Sequence, residues 1–319
     1  MSAGPGPAAV RVGVDVGGTK VLAGVVDDEG RVLRTARRST PGRLATPEAT
    51  EDALVEAVLD AADGAPLLAV GVAAAGFVDA AGERVAFAPH LPWRGEPVRD
   101  RLAERWRAPV TLDNDANAAA WAEYTLGAAR GADTAVVVTL GTGIGGGLVV
   151  GGRLHRGRGG MAGEFGHGQL VPDGRPCECG RRGCWEQYCS GNALLREARA
   201  GVGTSAGPLA ARCDGDPAAL TGVMVTEAAA EGDEVALHAF EVVGGWLGVG
   251  VANLVATLDP DVVVVGGGLV AAGELLLAPG RAALRRALVA AAHREVPDLT
   301  PAAFGPEAGV VGAALLTRG

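Results

Sequence analysis

The sequence predicts an α/β protein of two lobes built around one repeated unit. Three features carry that reading. Short Val-rich runs alternate with helical patterns along most of the chain. A strand–glycine turn–strand unit occurs twice, and Val12, Gly17 and Val25 of the first copy fall on Val136, Gly141 and Val149 of the second at one constant offset. The chain has 319 residues, 48% of them hydrophobic, which suffices for real cores and is too apolar for a disordered chain.

The first copy of the unit opens the chain. Val10–Val16 is an apolar run, Gly17-Gly18-Thr19-Lys20 a turn, and 21–26 a second strand. Asp27-Asp28-Glu29-Gly30 turns again, into a third strand over 31–38 with polar alternation. Thr46 caps a helix that starts at Pro47 and runs to about Ala62, with Ala53, Leu54, Ala57, Val58 and Ala61 on one face. Val98, Leu102 and Trp106 mark another helix. An Ala-rich helix over 117–129 ends at Gly131. In the second copy 135–140 is the strand, Gly141 to Gly147 the turn, and 148–150 and 153–155 the return. Residues 199–219, rich in Gly, Ala, Asp and Pro, read as a surface excursion. Residues 226–256 read as one or two long apolar helices, and 261–265 as a buried strand running into Gly266-Gly267-Gly268. Helices over 274–292 and 308–316 close the chain.

Composition narrows the function. A formal net charge of −9 argues against a general binder of nucleic acid or anionic membrane, while allowing a local basic pocket for one phosphorylated ligand. The 51 glycines, with abundant Ala and Arg, read as the codon bias of a GC-rich genome, and Lys20 is the one lysine. Residues 1–9 lack a cation followed by an apolar run, so no signal peptide is expected. The uncharged stretches 135–152 and 242–258 read as buried core, the first for its turn residues and the second for its glycines and Asn253. A cytoplasmic enzyme is the expectation.

Several constellations carry chemistry. In Asp15-Val16-Gly17-Gly18-Thr19-Lys20, glycines without Cβ let backbone N–H groups approach phosphate oxygens, Thr19 adds a hydroxyl, and Asp15 can hold hydrated Mg²⁺. The turn containing Gly141, Thr142 and Gly143 is a second candidate phosphate loop. Gly266, Gly267 and Gly268, after a buried strand, offer bare backbone to a base or ribose. His167 with Cys177, Cys179 and Cys184 suits a closed tetrahedral zinc site, a redox-active thiol pair or reduced structural thiols being the alternatives. Cys189 and Cys213 lie outside that spacing and read as inert. Asp113-Asn114-Asp115-Ala116-Asn117 places four polar side chains at a strand end, where an α/β fold points them at a ligand; helix capping is the competing role. Glu164 and Glu186 flank the metal loop.

Asp-x-Gly-Gly-Thr-Lys, Asn-Asp-Ala-Asn-Ala-Ala, Leu-Gly-Thr-Gly-x-Gly-Gly-Gly, Gly-Glu-Phe-Gly-His and Cys-x-Cys-Gly-x-x-Gly-Cys-Trp-Glu-Gln-Tyr together resemble the ROK family of sugar kinases and repressors, most closely its actinobacterial glucokinases. The resemblance spans about residues 11–312. It implies an actin-like, ribonuclease H-like ATPase fold, with a small lobe of 9–117 plus about 305–319 and a large lobe of 118–304 that includes the zinc loop 167–184. The repressors carry an N-terminal helix-turn-helix domain, and the short stretch before Val10 points to the kinase branch. By the same resemblance Asp115 is the catalytic base. Gly76, Asn114, Asp115, Glu164, His167 and Glu186 bind the sugar. Asp15, Gly17, Gly18, Thr19, Lys20, Thr142, Gly143, Gly266, Gly267 and Gly268 bind ATP with Mg²⁺. His167, Cys177, Cys179 and Cys184 hold one structural Zn²⁺. Glucose and ATP are the implied partners and a homodimer or homotetramer the implied assembly, with neither nucleic acid nor membrane. Another hexose or N-acetylhexosamine, or polyphosphate as donor, is the alternative. His90 stands where many relatives have Asn, and Asp113 where a Glu is expected.

Overall fold

The computed structural model describes residues 8–202 and 207–318. Residues 1–7, part of the stretch with no expected leader, 203–206, part of the expected excursion, and Gly319 lie outside the described residues. In chain order the elements begin with β1 (Val10–Val16), β2 (Lys20–Val26), β3 (Val32–Ser39), α1 (Pro47–Ala62), β4 (Leu67–Ala74), β5 (Phe77–Val78), β6 (Val85–Phe87) and α2 (Val98–Trp106). Then come β7 (Val110–Asn114), α3 (Asp115–Thr125), β8 (Thr134–Leu140), β9 (Ile144–Val150), β10 (Arg153–Leu154), α4 (Gly191–Val202) and α5 (Pro208–Arg212). The last are α6 (Gly222–Ala230), α7 (Glu234–Leu258), β11 (Val262–Gly266), α8 (Glu274–Ala287), β12 (Leu299–Pro301) and α9 (Ala308–Leu316).

The repeat is real at the level of topology. One five-stranded sheet has the order β3-β2-β1-β4-β7 and the other β10-β9-β8-β11-β12. In the first, β2 pairs antiparallel with β1 and β3, whereas β4 pairs parallel with β1 and β7. In the second, β9 and β10 are antiparallel, whereas β11 is parallel to β8 and β12. The chain divides into two compact units. The first comprises the described residues to Ala132, Gly147–Gly163 and those from Ala303 on; the second comprises Asp133–Gly146 and Glu164–Ala302. The lobe boundary expected between 117 and 118 falls inside α3, a helix that packs on α9 within the first unit.

Glycine seats the helices of the first unit. Gly24, Gly13 and Gly71 stand in one row across β2, β1 and β4. A Cβ on Gly13 would lie 1.8 Å from the Val310 carbonyl oxygen, and one on Gly71 1.8 Å from that of Ala313. Helix α9 therefore rests directly on the sheet backbone. A methyl on Gly13 or Gly71 would meet a carbonyl that cannot turn aside, an overpacking cost of about 1–3 kcal/mol or more, and one on Gly24 would meet the Val310 side chain at 2.8 Å. Codon bias alone does not account for these positions. Behind α1, Thr46 Oγ1 accepts the Ala49 amide at 3.2 Å as expected, and Leu54, Ala57, Val58 and Ala61 are buried.

Several boundaries differ from expectation. Helix α3 starts two residues earlier than predicted, because Asn114 rather than a later residue is its N-cap, and it ends at Thr125 rather than 129. Just beyond, the buried Glu123 carboxylate takes the amides of Ala128, Ala303 and Phe304 at 2.9–3.0 Å, so the chain turns away. Strand β9 begins at Ile144, inside the expected turn, and α8 stops at Ala287, where Leu288 turns extended. In the second unit α7 is long and apolar enough to cross a membrane by length and composition. It packs instead against α8 and α4, with Phe240, Val243, Leu247, Val251 and Val255 buried. Gly244 and Gly248 allow the close crossing: a Cβ on Gly248 would lie 2.2 Å from the Gly280 carbonyl oxygen of α8.

Candidate active site

In the first unit, β7 runs straight into α3, and the junction carries Asn114 and Asp115. Asn114 Oδ1 accepts the amides of Ala116 and Asn117 at 2.9 and 3.0 Å. Its Nδ2 donates to the Gly76 carbonyl at 3.1 Å and to Asp115 Oδ1 at 2.9 Å. All four hydrogen-bonding positions of the amide are thus filled within the chain. Asp115 Oδ1 also accepts the Ala116 amide at 2.9 Å. Its carboxylate sits in the first turn of α3, where the helix dipole favours negative charge. Gly76 is joined to this pair through Asn114, and its backbone presses on the loop after β6: a Cβ there would lie 2.9 Å from the Phe87 carbonyl oxygen.

The first glycine turn lies in the same unit. Gly17 N–H donates to the Lys20 carbonyl at 3.0 Å, and Thr40 clasps the turn, its hydroxyl donating to Gly17 O at 2.7 Å and its amide to Thr19 O at 3.1 Å. A Cβ on Gly18 would lie 2.6 Å from His90 Cβ, so the loop bearing His90 is seated against this turn. Burial raises the Asp15 carboxyl above its ordinary range, and the charge of Lys20 opposes the shift.

The second unit holds the remaining candidates. Gly141 N–H donates to Gly143 O at 3.0 Å, and Gly141 O accepts the Gly191 amide at 2.8 Å. Thr142 is exposed, and a Cβ on Gly143 would lie 2.5 Å from Glu186 Oε2, which brings Glu186 onto this turn. Gly267, at φ +85°, would place a Cβ 2.4 Å from the Leu140 carbonyl oxygen. Gly266 is buried at the end of β11, and Gly268 is exposed. Glu164 precedes a single 3₁₀ turn, Phe165–His167. Its Oε2 lies 3.9 Å from His167 Nε2, and Glu186 Oε1 lies 3.5 Å from His167 Nδ1. Burial raises the Glu164 carboxyl; His167 opposes that shift and Glu186 adds to it.

The metal candidates converge. One ligand atom each from His167, Cys177, Cys179 and Cys184 lies within 4.8 Å of the others. Cys177 Sγ is 3.6 Å from His167 Nδ1, and Cys179 Sγ is 3.5 Å from Cys184 Sγ. Zinc–thiolate bonds of about 2.3 Å in a tetrahedron would set two sulfurs about 3.8 Å apart, so this donor set fits zinc. Gly180 and Gly183, at φ +87° and +74°, make the turn that points the thiols inward. Arg181 donates to the His167 carbonyl, and Arg182 reaches Asp173 O at 3.5 Å. Burial raises the Cys179 thiol, but hydrogen bonds, the Arg181 amide first, bring it down to about 7. Burial holds Cys177 well above the ordinary thiol range, and its S–H donates to Glu186 Oε1 at 2.9 Å. Cys189 and Cys213 are buried and outside this group.

Not every polar residue of the Asp113–Asn117 run points at a ligand. Asp113 and Asn117 are buried and bonded to each other at 2.9 Å, and Asn114 is the helix cap, so capping and packing account for three of the four. Two arginines do not stand out in the sequence. Arg156 pairs with Asp113 at 2.6 Å. Arg94 Nη1 donates to the carbonyls of Ala88, Leu91 and Trp93 at 2.6–2.8 Å, and its guanidinium lies 4.5 Å over the Phe87 ring. It pins the loop that carries His90. No local pattern announces either role.

The profile of the ROK family matches residues 11–319. The chain is 45% identical to a glucokinase of Streptomyces coelicolor over 310 residues, 96% of this chain and 97% of that protein. Among solved structures it is similar to a ROK family glucokinase from Streptomyces griseus in complex with glucose and AMPPNP, at 45% identity and a TM-score of 0.89, covering 98% of this chain and all of that one. It is also similar to a ROK hexokinase from Thermus thermophilus, at 36% identity and a TM-score of 0.76, over 97% and 99% of the two chains.

Proposed function

The chain belongs to the ROK family, and from that premise we propose that it is a glucokinase, moving the γ-phosphoryl group of Mg-ATP to the 6-hydroxyl of glucose. The observation that carries this reading is the full-length likeness to a glucokinase solved with glucose and an ATP analogue. Phosphoryl transfer asks for positioning and charge neutralisation more than for covalent chemistry. Asp115 takes the proton of the attacking hydroxyl. Asn114 orients Asp115, and it engages a sugar hydroxyl only by exchanging one of its four present partners. Gly76, Glu164, Glu186 and His167 hold the other ring hydroxyls. Polar groups that a bound sugar covers reject sugars that lack the matching hydroxyl. Gly17, Gly18, Thr19, Lys20, Thr142 and Gly143 serve the phosphates, Asp15 the hydrated Mg²⁺, and Gly266, Gly267 and Gly268 the adenosine.

Zinc, when bound, supplies a structural lock and no open coordination position. His167 Nδ1, nearest Cys177 Sγ, is the nitrogen that would ligate it, which leaves Nε2 for the sugar. A cytoplasmic location and a homodimeric or homotetrameric assembly complete the reading.

The test is ADP release from Mg-ATP over glucose, mannose, fructose, N-acetylglucosamine and N-acetylmannosamine. Glucose is expected to give the highest kcat/KM, with glucose 6-phosphate as product. Preferential turnover of another sugar moves specificity to the Arg94-pinned loop around His90. No turnover of any sugar with ATP or polyphosphate rejects the reading.

Asp15 supplies a second test. Its carboxyl is raised by burial, so its contribution to stability is full below the ordinary carboxyl range and is lost as pH rises through its folded value. Asp15→Asn is therefore expected to raise Tm at pH 7, with the gain vanishing toward pH 3, while kcat with Mg-ATP falls. A variant with unchanged kcat removes Asp15 from the metal-binding role.

A further inference from the structure

We propose that Arg156 is a positioning residue for phosphoryl transfer, acting through Asp113 on Asn114 and Asp115. This deepens the reading above and rests on it. Asp113 is 2% exposed, and four nitrogens surround its carboxylate. Oδ2 accepts a hydrogen bond from Arg156 Nε at 2.7 Å and lies 2.6 Å from Nη2 as an ion pair. Oδ1 takes the Asn114 amide at 2.8 Å and Asn117 Nδ2 at 2.9 Å. The guanidinium thus fixes a carboxylate that itself fixes the backbone of Asn114, whose side chain holds Asp115.

Arg156 is itself held. Its carbonyl accepts the Ala162 amide at 3.0 Å. Gly160, at φ +80°, seats the same loop on β5, since a Cβ there would lie 2.0 Å from the Val78 carbonyl oxygen. The ion pair is not needed to place the strand: β7 is already registered on β4 through Ala73–Asp113 and Ala74–Asn114. The pair is a poor stabiliser, because Asp113 has lost its water while Arg156, 31% exposed, keeps part of its own. What the pair adds is the orientation of the two residues that follow Asp113. Displacing a reacting group by about 1 Å costs on the order of 100-fold in rate.

The experiment uses the full chain with zinc bound. Arg156→Lys keeps the charge but cannot present two fixed nitrogens; Arg156→Ala removes both. Roughly a tenfold fall in kcat is expected for the first and 100-fold for the second, with KM for glucose and ATP within about threefold of wild type. Millimolar guanidinium is expected to restore part of the Arg156→Ala rate at a temperature where the variant is folded. Arg158→Ala, an exposed neighbour on the same loop, serves as the control with wild-type kcat. Wild-type kcat in both Arg156 variants overturns the proposal. So does a loss that follows only the unfolded fraction and that guanidinium does not rescue. Should Arg156→Ala fail to fold, Arg156→Lys decides alone. A wild-type protein that turns over no sugar overturns instead the kinase reading on which the proposal rests.

Discussion

Asp115→Asn is expected to lower kcat by about 1,000-fold while glucose still binds, because general-base catalysis typically contributes 100- to 10,000-fold. The substitution keeps the size and shape of the side chain. Oδ1 of the new side chain can keep the two bonds that Asp115 Oδ1 now accepts, from Asn114 Nδ2 and the Ala116 amide. What is lost is the negative charge in the first turn of α3, worth about 0.3–1 kcal/mol of stability. Tm should therefore move little, and glucose affinity, read by calorimetry, should stay within a few-fold. The separation of a collapsed kcat from an intact Kd is the signature of a proton acceptor. A variant that turns over at a near-normal rate places the base elsewhere. One that loses kcat and glucose affinity together makes Asp115 a binding residue alone.

What could be read in advance was what is written locally. The strand–glycine turn–strand unit can be recognised twice in the residue order, and both copies found the same order of sheet strands. Thr46-Pro47 announces α1 because capping is a matter of three or four neighbouring residues. The His and Cys spacing announces a cluster that could hold a metal because the loop that gathers three of its members is short. Other features depend on contacts remote in sequence. Arg156 meets Asp113 across 43 residues, and nothing near either one marks the pair. Glu123 reaches amides at Ala303 and Phe304, and its burial cannot be read from its Ala-rich helix. The glycine row of β1, β2 and β4 read as composition because its reason is the approach of α9 from the far end of the chain. Asn114 stands out in the sequence as a polar residue at a strand end, but its multiple duties are not visible there. One amide caps α3, holds Gly76 and orients Asp115, and only the assembled junction brings those partners together.

Cys179→Ser is expected to abolish stoichiometric zinc and to lower Tm sharply. The choice of cysteine matters. Cys184 is fully buried, so a polar replacement there would disturb the packing whatever the metal does. Cys179 is exposed, and serine is nearly the same size, so neither a cavity nor a buried orphan hydroxyl can account for a loss. Its thiol, brought down to about 7, is also the one most readily available as a thiolate at neutral pH. Cys177 and Cys184 are held protonated, chiefly by burial, and each must shed a proton to bind metal. Apparent zinc affinity should therefore rise with pH and zinc uptake should release protons, which calorimetry in buffers of different ionisation enthalpy reads directly. Losing one of four ligands should weaken zinc by more than about 100-fold, a larger effect than the loss of an outer-shell partner. Because the same loop presents His167 and Glu186, the KM for glucose should rise in the surviving folded fraction. Wild-type protein prepared without chelators that contains no zinc and melts at the same temperature after metal removal would make these thiols reduced structural cysteines instead.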